Sequence, residues 1–398
     1  MKKAIGIGLA VIFACAATTC AKPQKESSVE REYPSEIIGS ELYEGDLVKF
    51  CGRYYSEDET VWFGLSGAGF EVNFEGTSLT ADFGGTWQNE VVGQGTQVPY
   101  IGVFVGGETD PEKAEKIEIY LKEETPYTLV ENLPYGKHSV RVLKLTETSC
   151  NKLALTKLST DGKFCSAPKK AEISIEFYGD SVTCGYGVDF DTQVSFSTDS
   201  ENATKTYAYL TATRLNADFS LISASGWGMK RGLGDDSAIP DWFDKADIRC
   251  DKPWDNSADK PDMVVINLGA NDNQYILGNV GGSVDEAGSK ARLDDYLAAY
   301  KAFILKLLSV YGRTTPVFCC YGTMGEANIY TPLENMLYDD FQDRGYPNVY
   351  PVKLSDGSLN GEKALHGHPN YKTHSDSAEI LIKAITENTK FKTTGDNV

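Results

Sequence analysis

A chain of 398 residues with 41% apolar content, 11% aromatics and 38 glycines has the composition of a globular protein rich in turns, long enough for two domains of ordinary size. Its formal charge of −19 argues against a nucleic-acid partner, since each phosphate contact wants a cation, and suits neutral substrates better than polyanionic ones. Past the N-terminal segment, no apolar run approaches the length that spans a bilayer.

Residues 1–32 read as a signal peptide and leader. Lys2 and Lys3 precede the apolar run 4–17, the layout of an export signal. Ile12-Phe13-Ala14-Cys15 resembles a bacterial lipobox, and Ala17-Thr18-Thr19-Cys20 does so less closely because of its Thr. A lipid anchor on Cys15, one on Cys20, and plain cleavage without lipid all stay open. The expected location is periplasmic, cell-surface or secreted, with 22–32 as a polar tether. Seven cysteines follow, an odd number that leaves at least one free thiol. Their spacing matches no zinc knuckle and no C-x-x-C, and it assigns no disulfide. Cys319 and Cys320 sit side by side in an apolar run, so they are expected on opposite faces of a buried strand.

From 33 to 165 the chain reads as an all-β domain. Short runs at 60–65, 70–74, 78–83, 101–105, 116–121, 127–130 and 139–145 are separated by glycine-containing turns, and several alternate apolar with polar residues. That spacing predicts an antiparallel sandwich or jelly roll. From 166 to 398 strands alternate with helices. Strands are expected at 173–178, 220–224, 263–268, 316–321 and 349–352. Helices are expected at 203–215, around 293–308, at 331–343 before Gly345, and at 373–387. The continuous apolar run at 263–266 suggests burial on both faces, hence a parallel sheet in a doubly wound α/β domain.

Four short motifs lie at or near the carboxyl ends of those strands, where such sheets gather their chemistry. They are Gly179-Asp180-Ser181, Ser225-Gly226-Trp227, Gly269-Ala270-Asn271-Asp272 and His366-Gly367-His368-Pro369. A hydroxyl is a weak nucleophile without a neighbouring base, and histidine titrates in the useful range. The N–H groups of Ser181 and Gly226 and the amide of Asn271 are available as donors for a tetrahedral oxyanion. Alone, Ser181 reads as a turn serine capping a helix and Asn271 as a helix cap.

Taken together and in this order, the four motifs resemble blocks I, II, III and V of the SGNH/GDSL hydrolases. The string from Gly179 to Gly187, preceded by an all-β domain, is similar to carbohydrate esterase family 2. The resemblance covers about 37–390 and implies a jelly roll joined to an SGNH domain. It also implies Ser181 as nucleophile, His368 as base because Pro369 follows it, an oxyanion hole of Ser181, Gly226 and Asn271, and no cofactor. The position three before the histidine, often an acid in this family, is Leu365. Either a backbone carbonyl orients His368 in a dyad, or Glu362 or Asp356 bends in; the dyad is the expectation.

Asp180 reads as an acid that structures the nucleophile loop, and with Trp227 it is taken as a substrate-side residue. Trp227 is as suited to packing beside a tight turn as to stacking on a sugar. Trp242 and Trp254 are further wall candidates in the loop-rich stretch 232–260. A metal site from His366, His368 and His374 is set aside because it lacks a nearby carboxylate and strips Ser181 of its base. The expected activity is removal of O-acetyl groups from xylan or other acetylated poly- and oligosaccharides. The rivals are a lipase or thioesterase on acyl esters, and a carbohydrate-binding surface lipoprotein with a vestigial site.

Overall fold

A computed structural model describes residues 33–87, 97–120, 126–190, 195–234, 237–356 and 363–393. The export segment with Cys15 and Cys20 lies outside these residues, as does Glu362. Among the described residues the N-terminal region has twelve strands and one short helix. These are β1 (Glu36–Ile38), α1 (Glu41–Glu44), β2 (Val48–Cys51), β3 (Tyr55–Glu57), β4 (Thr60–Phe63), β5 (Gly69–Gly76) and β6 (Leu79–Trp87). Next come β7 (Tyr100–Val105), β8 (Glu115–Glu118), β9 (Tyr127–Val130), β10 (Gly136–Lys144), β11 (Asn151–Thr160) and β12 (Lys163–Cys165).

These strands form two antiparallel sheets. One runs β3-β4-β11-β6-β9 with β1 also on β11; the other runs β12-β5-β10-β7-β8 with β2 also on β5. From β9 to β12 successive strands alternate between the sheets, as in a jelly roll. Their apolar faces meet: the rings of Phe63 in β4 and Phe70 in β5 lie 6.3 Å apart, one from each sheet. The longest strand, β11, escaped the sequence reading. A register shift between Leu155 and Lys157 breaks its alternation, so the buried leucines 153, 155 and 158 do not keep period two.

The second region is a five-stranded parallel sheet in the order β14-β13-β15-β16-β17. Its strands are β13 (Ile173–Gly179), β14 (Ala217–Ser223), β15 (Met263–Asn267), β16 (Val317–Tyr321) and β17 (Val349–Lys353). Its helices are α2 (Ser181–Cys184), α3 (Tyr207–Arg214), α4 (Ala270–Ile276), α5 (Glu286–Tyr311), α6 (Ala327–Asp340) and α7 (Tyr371–Asn388). Helices α3 and α7 cover one face, with Tyr207, Ala212, Leu381 and Ile385 packed on Phe177, Val265 and Cys320. On the other face Tyr178 meets Phe303 of α5 edge-on at 5.0 Å. Cys319 and Cys320 are both fully buried, and they face opposite sides. The helix expected at 203–215 splits: Ala203–Lys205 is a 3-10 turn, and Thr206 then caps α3 by accepting the Tyr209 N–H.

Residues 34–398 pack as one compact unit rather than as two bodies on a linker. Cys51, Phe104 and Leu143 of the sandwich share a core with Tyr209 and Phe219 of the α/β region. Between the two sits Arg53, fully buried, with Nη1 donating to the carbonyls of Phe243 and Lys245 at 2.8 Å. Its Nη2 reaches Glu176 Oε1 at 2.7 Å, the Tyr178 hydroxyl at 3.2 Å and Asn256 Oδ1 at 3.0 Å.

Candidate active site

The strand order reverses at β13, which opens a crevice at the carboxyl ends of β13 and its neighbours. Register then decides what meets there. Gly179 lies opposite Ser223 of β14 and Asn267 of β15, so Ser181, Gly226 and Asn271 follow within four residues of three adjacent strand ends. Ser181 opens the single turn of α2. Asp180 caps that turn, its Oδ1 accepting the Val182 N–H at 3.0 Å. Asp180 is 2% exposed, and burial raises its pKa to about 8. Through that hydrogen bond Asp180 shapes the loop that carries Ser181.

His368 arrives from the opposite end of the sequence. Its Nε2 lies 2.8 Å from Ser181 Oγ, within hydrogen-bond reach of the proton it would remove. Its Nδ1–H donates to the Leu365 carbonyl at 3.1 Å, which fixes the tautomer with Nε2 free to accept. Ring contact with Tyr186, 4.5 Å between centroids, steadies the imidazole, and Tyr186 stacks on Phe196 at 4.3 Å. The approach is close enough that a Cβ at Gly187 would stand 2.5 Å from Leu365 Cβ. Burial lowers the His368 pKa from 6.5 to about 4, with the Leu365 carbonyl opposing and His366 reinforcing the shift.

The sign of that shift sets a pH dependence. The working base is the neutral ring, and a depressed pKa keeps it neutral further into acid. The acid limb of kcat/KM for p-nitrophenyl acetate is therefore expected near the lowered pKa of about 4, not at 6.5. A limb centred at 6.5 or above would contradict the burial argument.

The other two histidines of this region have separate partners. His366, exposed and at φ 53°, pairs its Nδ1 with the Tyr186 hydroxyl at 3.0 Å. His374, buried in α7, accepts the Tyr207 N–H at 3.1 Å. Three imidazoles thus face three different groups. Asp356 is described, and the partner of His368 Nδ1 is the carbonyl.

The donors for a negative oxygen are held by an ordered loop. Asn271 Nδ2 gives one hydrogen to the Trp227 carbonyl at 2.7 Å, which leaves its second hydrogen for the crevice. Gly226 has φ 79°, a left-handed conformation that a side chain resists. Among the described residues, neither that N–H nor the Ser181 N–H donates to a protein atom. Asp272, which sequence reasoning quoted without a role, accepts the N–H groups of Met229, Lys230 and Arg231 at 2.8, 2.8 and 2.9 Å. Trp227 is 6% exposed, edge-on to Trp242 at 6.0 Å and overlain by the Arg249 guanidinium at 5.3 Å. It packs; Trp242, half-buried, is the more open of the two rings. Trp254 lies against Tyr54 and Arg53, on the sandwich side.

Among the described residues, Glu147, Cys150 and Glu201 bring ligand-type atoms within 4.8 Å of one another. All three are buried. Burial pushes the Glu201 carboxyl and the Cys150 thiol well above their usual ranges.

Two family models match in tandem: the carbohydrate esterase 2 N-terminal model over residues 50–168 and the GDSL-like lipase/acylhydrolase model over 177–351. A carbohydrate esterase 2 N-terminal domain is thus followed by a GDSL-like lipase/acylhydrolase domain. The GDSL match takes in Ser181, Gly226 and Asn271 and stops short of His368. The chain is 30% identical over 354 residues to a cellulase/esterase CelE of Acetivibrio thermocellus, covering 85% of this chain and 39% of that protein. It is 33% identical over 195 residues to an acetylxylan esterase/glucomannan deacetylase of Cellvibrio japonicus, covering 46% of this chain and 52% of the other. It thus spans about two-fifths to one-half of these two relatives. A family two carbohydrate esterase from Clostridium thermocellum, solved with cellohexaose, superposes with a TM-score of 0.72 at 27% identity. That overlap covers 85% of this chain and 98% of the solved chain. No helix among the described residues is long and apolar enough to cross a membrane.

Proposed function

We propose that this chain is a serine esterase that removes O-acetyl groups from xylan or other acetylated poly- and oligosaccharides. The observation that carries the reading is the 2.8 Å approach of His368 Nε2 to Ser181 Oγ, beside unpaired N–H groups on Ser181 and Gly226. The substrate class follows from relatives that deacetylate xylan and glucomannan and from a similar fold solved with cellohexaose. An acidic chain is also at ease with a neutral polysaccharide.

In this mechanism Ser181 attacks the acetyl carbonyl while His368 takes the hydroxyl proton. The carbonyl oxygen, now negative, lies among the Ser181 N–H, the Gly226 N–H and the Asn271 amide. His368 then gives its proton to the departing sugar oxygen, leaving an acetyl ester on Ser181. Water, deprotonated by the same ring, attacks that ester and releases acetate. The Leu365 carbonyl stands where a triad carboxylate would. It orients the imidazole, though it stabilises the imidazolium less than a carboxylate would.

Two domain-like regions divided near 165/166 and export through residues 1–32, with a lipid on Cys15, a lipid on Cys20 or plain cleavage as the alternatives, complete the proposal. The deciding assay compares p-nitrophenyl acetate with p-nitrophenyl octanoate and measures acetate released from acetylated xylan. A higher kcat/KM for acetyl is expected. A clear preference for octanoyl would return the protein to the lipase and thioesterase class.

A further inference from the structure

The crevice is not built by the α/β region alone. The turn between β10 and β11, residues 145–150 of the sandwich, is wedged among three segments that carry the site. Glu147, 1% exposed, extends from it, and its Oε2 accepts the Ser225 N–H at 2.8 Å. Ser225 is the residue immediately before Gly226. The same Oε2 lies 4.0 Å from Cys184 Sγ, in the turn of helix that Ser181 opens.

This turn is fixed from several sides. The Glu147 N–H donates to Glu201 Oε2 at 2.9 Å, and the Ala203 N–H donates to the Leu145 carbonyl at 3.0 Å. Lys144, fully buried, donates through Nζ to the carbonyls of Gly64 at 2.9 Å and Thr146 at 2.6 Å. Thr146 Oγ1 donates in turn to Asn151 Oδ1 at 2.8 Å. The acceptor presented to Ser225 is therefore held in place from several sides and shielded from water.

On the other side, the loop it meets holds the Gly226 carbonyl through the Leu233 N–H at 2.8 Å, which leaves the N–H side of the turn to be fixed separately. The Trp227 N–H returns to Ala224 at 3.3 Å, closing a turn around Ser225 and Gly226. Asn271 and Asp272 secure the residues after Gly226, and Glu147 alone secures the N–H before it. Of two successive peptide N–H groups, that of Ser225 is taken by the sandwich, and that of Gly226 donates to no protein atom among the described residues.

We propose that Glu147, a residue of the β-sandwich, is a positioning residue for the oxyanion hole, aiming the Gly226 N–H by anchoring Ser225. This rests on the esterase reading above. It gives the sandwich a part in catalysis that its distance from Ser181 in sequence conceals.

The test uses the full chain, with Glu147→Ala, Glu147→Asp, Glu147→Gln and Ser181→Ala beside the unaltered protein. For Glu147→Ala, kcat on p-nitrophenyl acetate is expected to fall about 10- to 100-fold with KM little changed, the scale of a small misplacement of a catalytic group. Phenylboronic acid, whose tetrahedral adduct on Ser181 uses the same donors, should bind more weakly by a similar factor. Glu147→Gln keeps an oxygen for the Ser225 N–H and should recover most of kcat. Glu147→Asp withdraws the carboxylate by one methylene and should lose kcat and boronate affinity in parallel, which preserves the test if the alanine variant does not fold.

Wild-type kcat in the alanine or aspartate variant would overturn the assignment. So would lost kcat with unchanged boronate binding, or a glutamine variant no better than alanine. If Ser181→Ala retains activity, the esterase reading itself fails. If Ser181→Ala is dead while Glu147→Ala is fully active, only the positioning role fails.

Discussion

Replacing Ser181 by alanine is expected to reduce acetate release from acetylated xylan on the order of 10⁵- to 10⁶-fold, as removal of the nucleophile does in serine hydrolases that work as a unit. His368→Ala should cost a similar factor. The double variant should lose little more than either alone, because a hydroxyl without its base and a base without its hydroxyl are equally idle. The substitution removes one oxygen whose recorded side-chain partner is His368 Nε2, so folding should be untouched. The assay pairs acetate release with thermal melting. A Ser181→Ala protein that melts like the parent yet still deacetylates would refute the mechanism.

The largest effect on stability is expected at Arg53. Truncation to alanine deletes five hydrogen bonds spanning the sandwich and the parallel sheet. It also leaves the buried Glu176 carboxylate with only the Tyr178 and Tyr311 hydroxyls for company. Breaking a buried pair from one side typically costs about 3–5 kcal/mol, because the remaining charge stays desolvated. Urea titration should show a loss of about that size for Arg53→Ala. The double variant Arg53→Met, Glu176→Gln should be markedly less damaged, since no lone charge remains. A loss below about 1 kcal/mol for the single variant would mean that water reaches Glu176 when the guanidinium is gone.

How much of this could be read before the structure depends on the range of the interaction. Apolar periodicity is local, and it served well. The run 263–266 is buried at every position, and it lies mid-sheet between β13 and β16. Strand β11 failed the same test because a bulge shifted its leucines out of step. The N-terminal half of α5 is polar, so its start at Glu286, capped by Asp285, carried no apolar signal before Leu293. In the crevice, residue types within short motifs were legible, and so was the missing acid at Leu365. What takes that acid's place was not, because every residue has a carbonyl and only coordinates show which one points at an imidazole. Glu147 was invisible for a related reason: its partner Ser225 is 78 residues away, and Glu147 itself belongs to no recognisable pattern. For Asp180, adjacency to Ser181 in sequence says nothing about which side of the loop its carboxylate occupies.

The base and its alcohol are separated by 187 residues, and the loop that brings His368 is the last before the final helix. A nascent or truncated copy ending before residue 363 can contain the whole sheet and every oxyanion donor while remaining chemically inert. On the esterase reading, hydrolysis therefore depends on the last loop of the chain, whose Leu365 packs against the Gly187 turn.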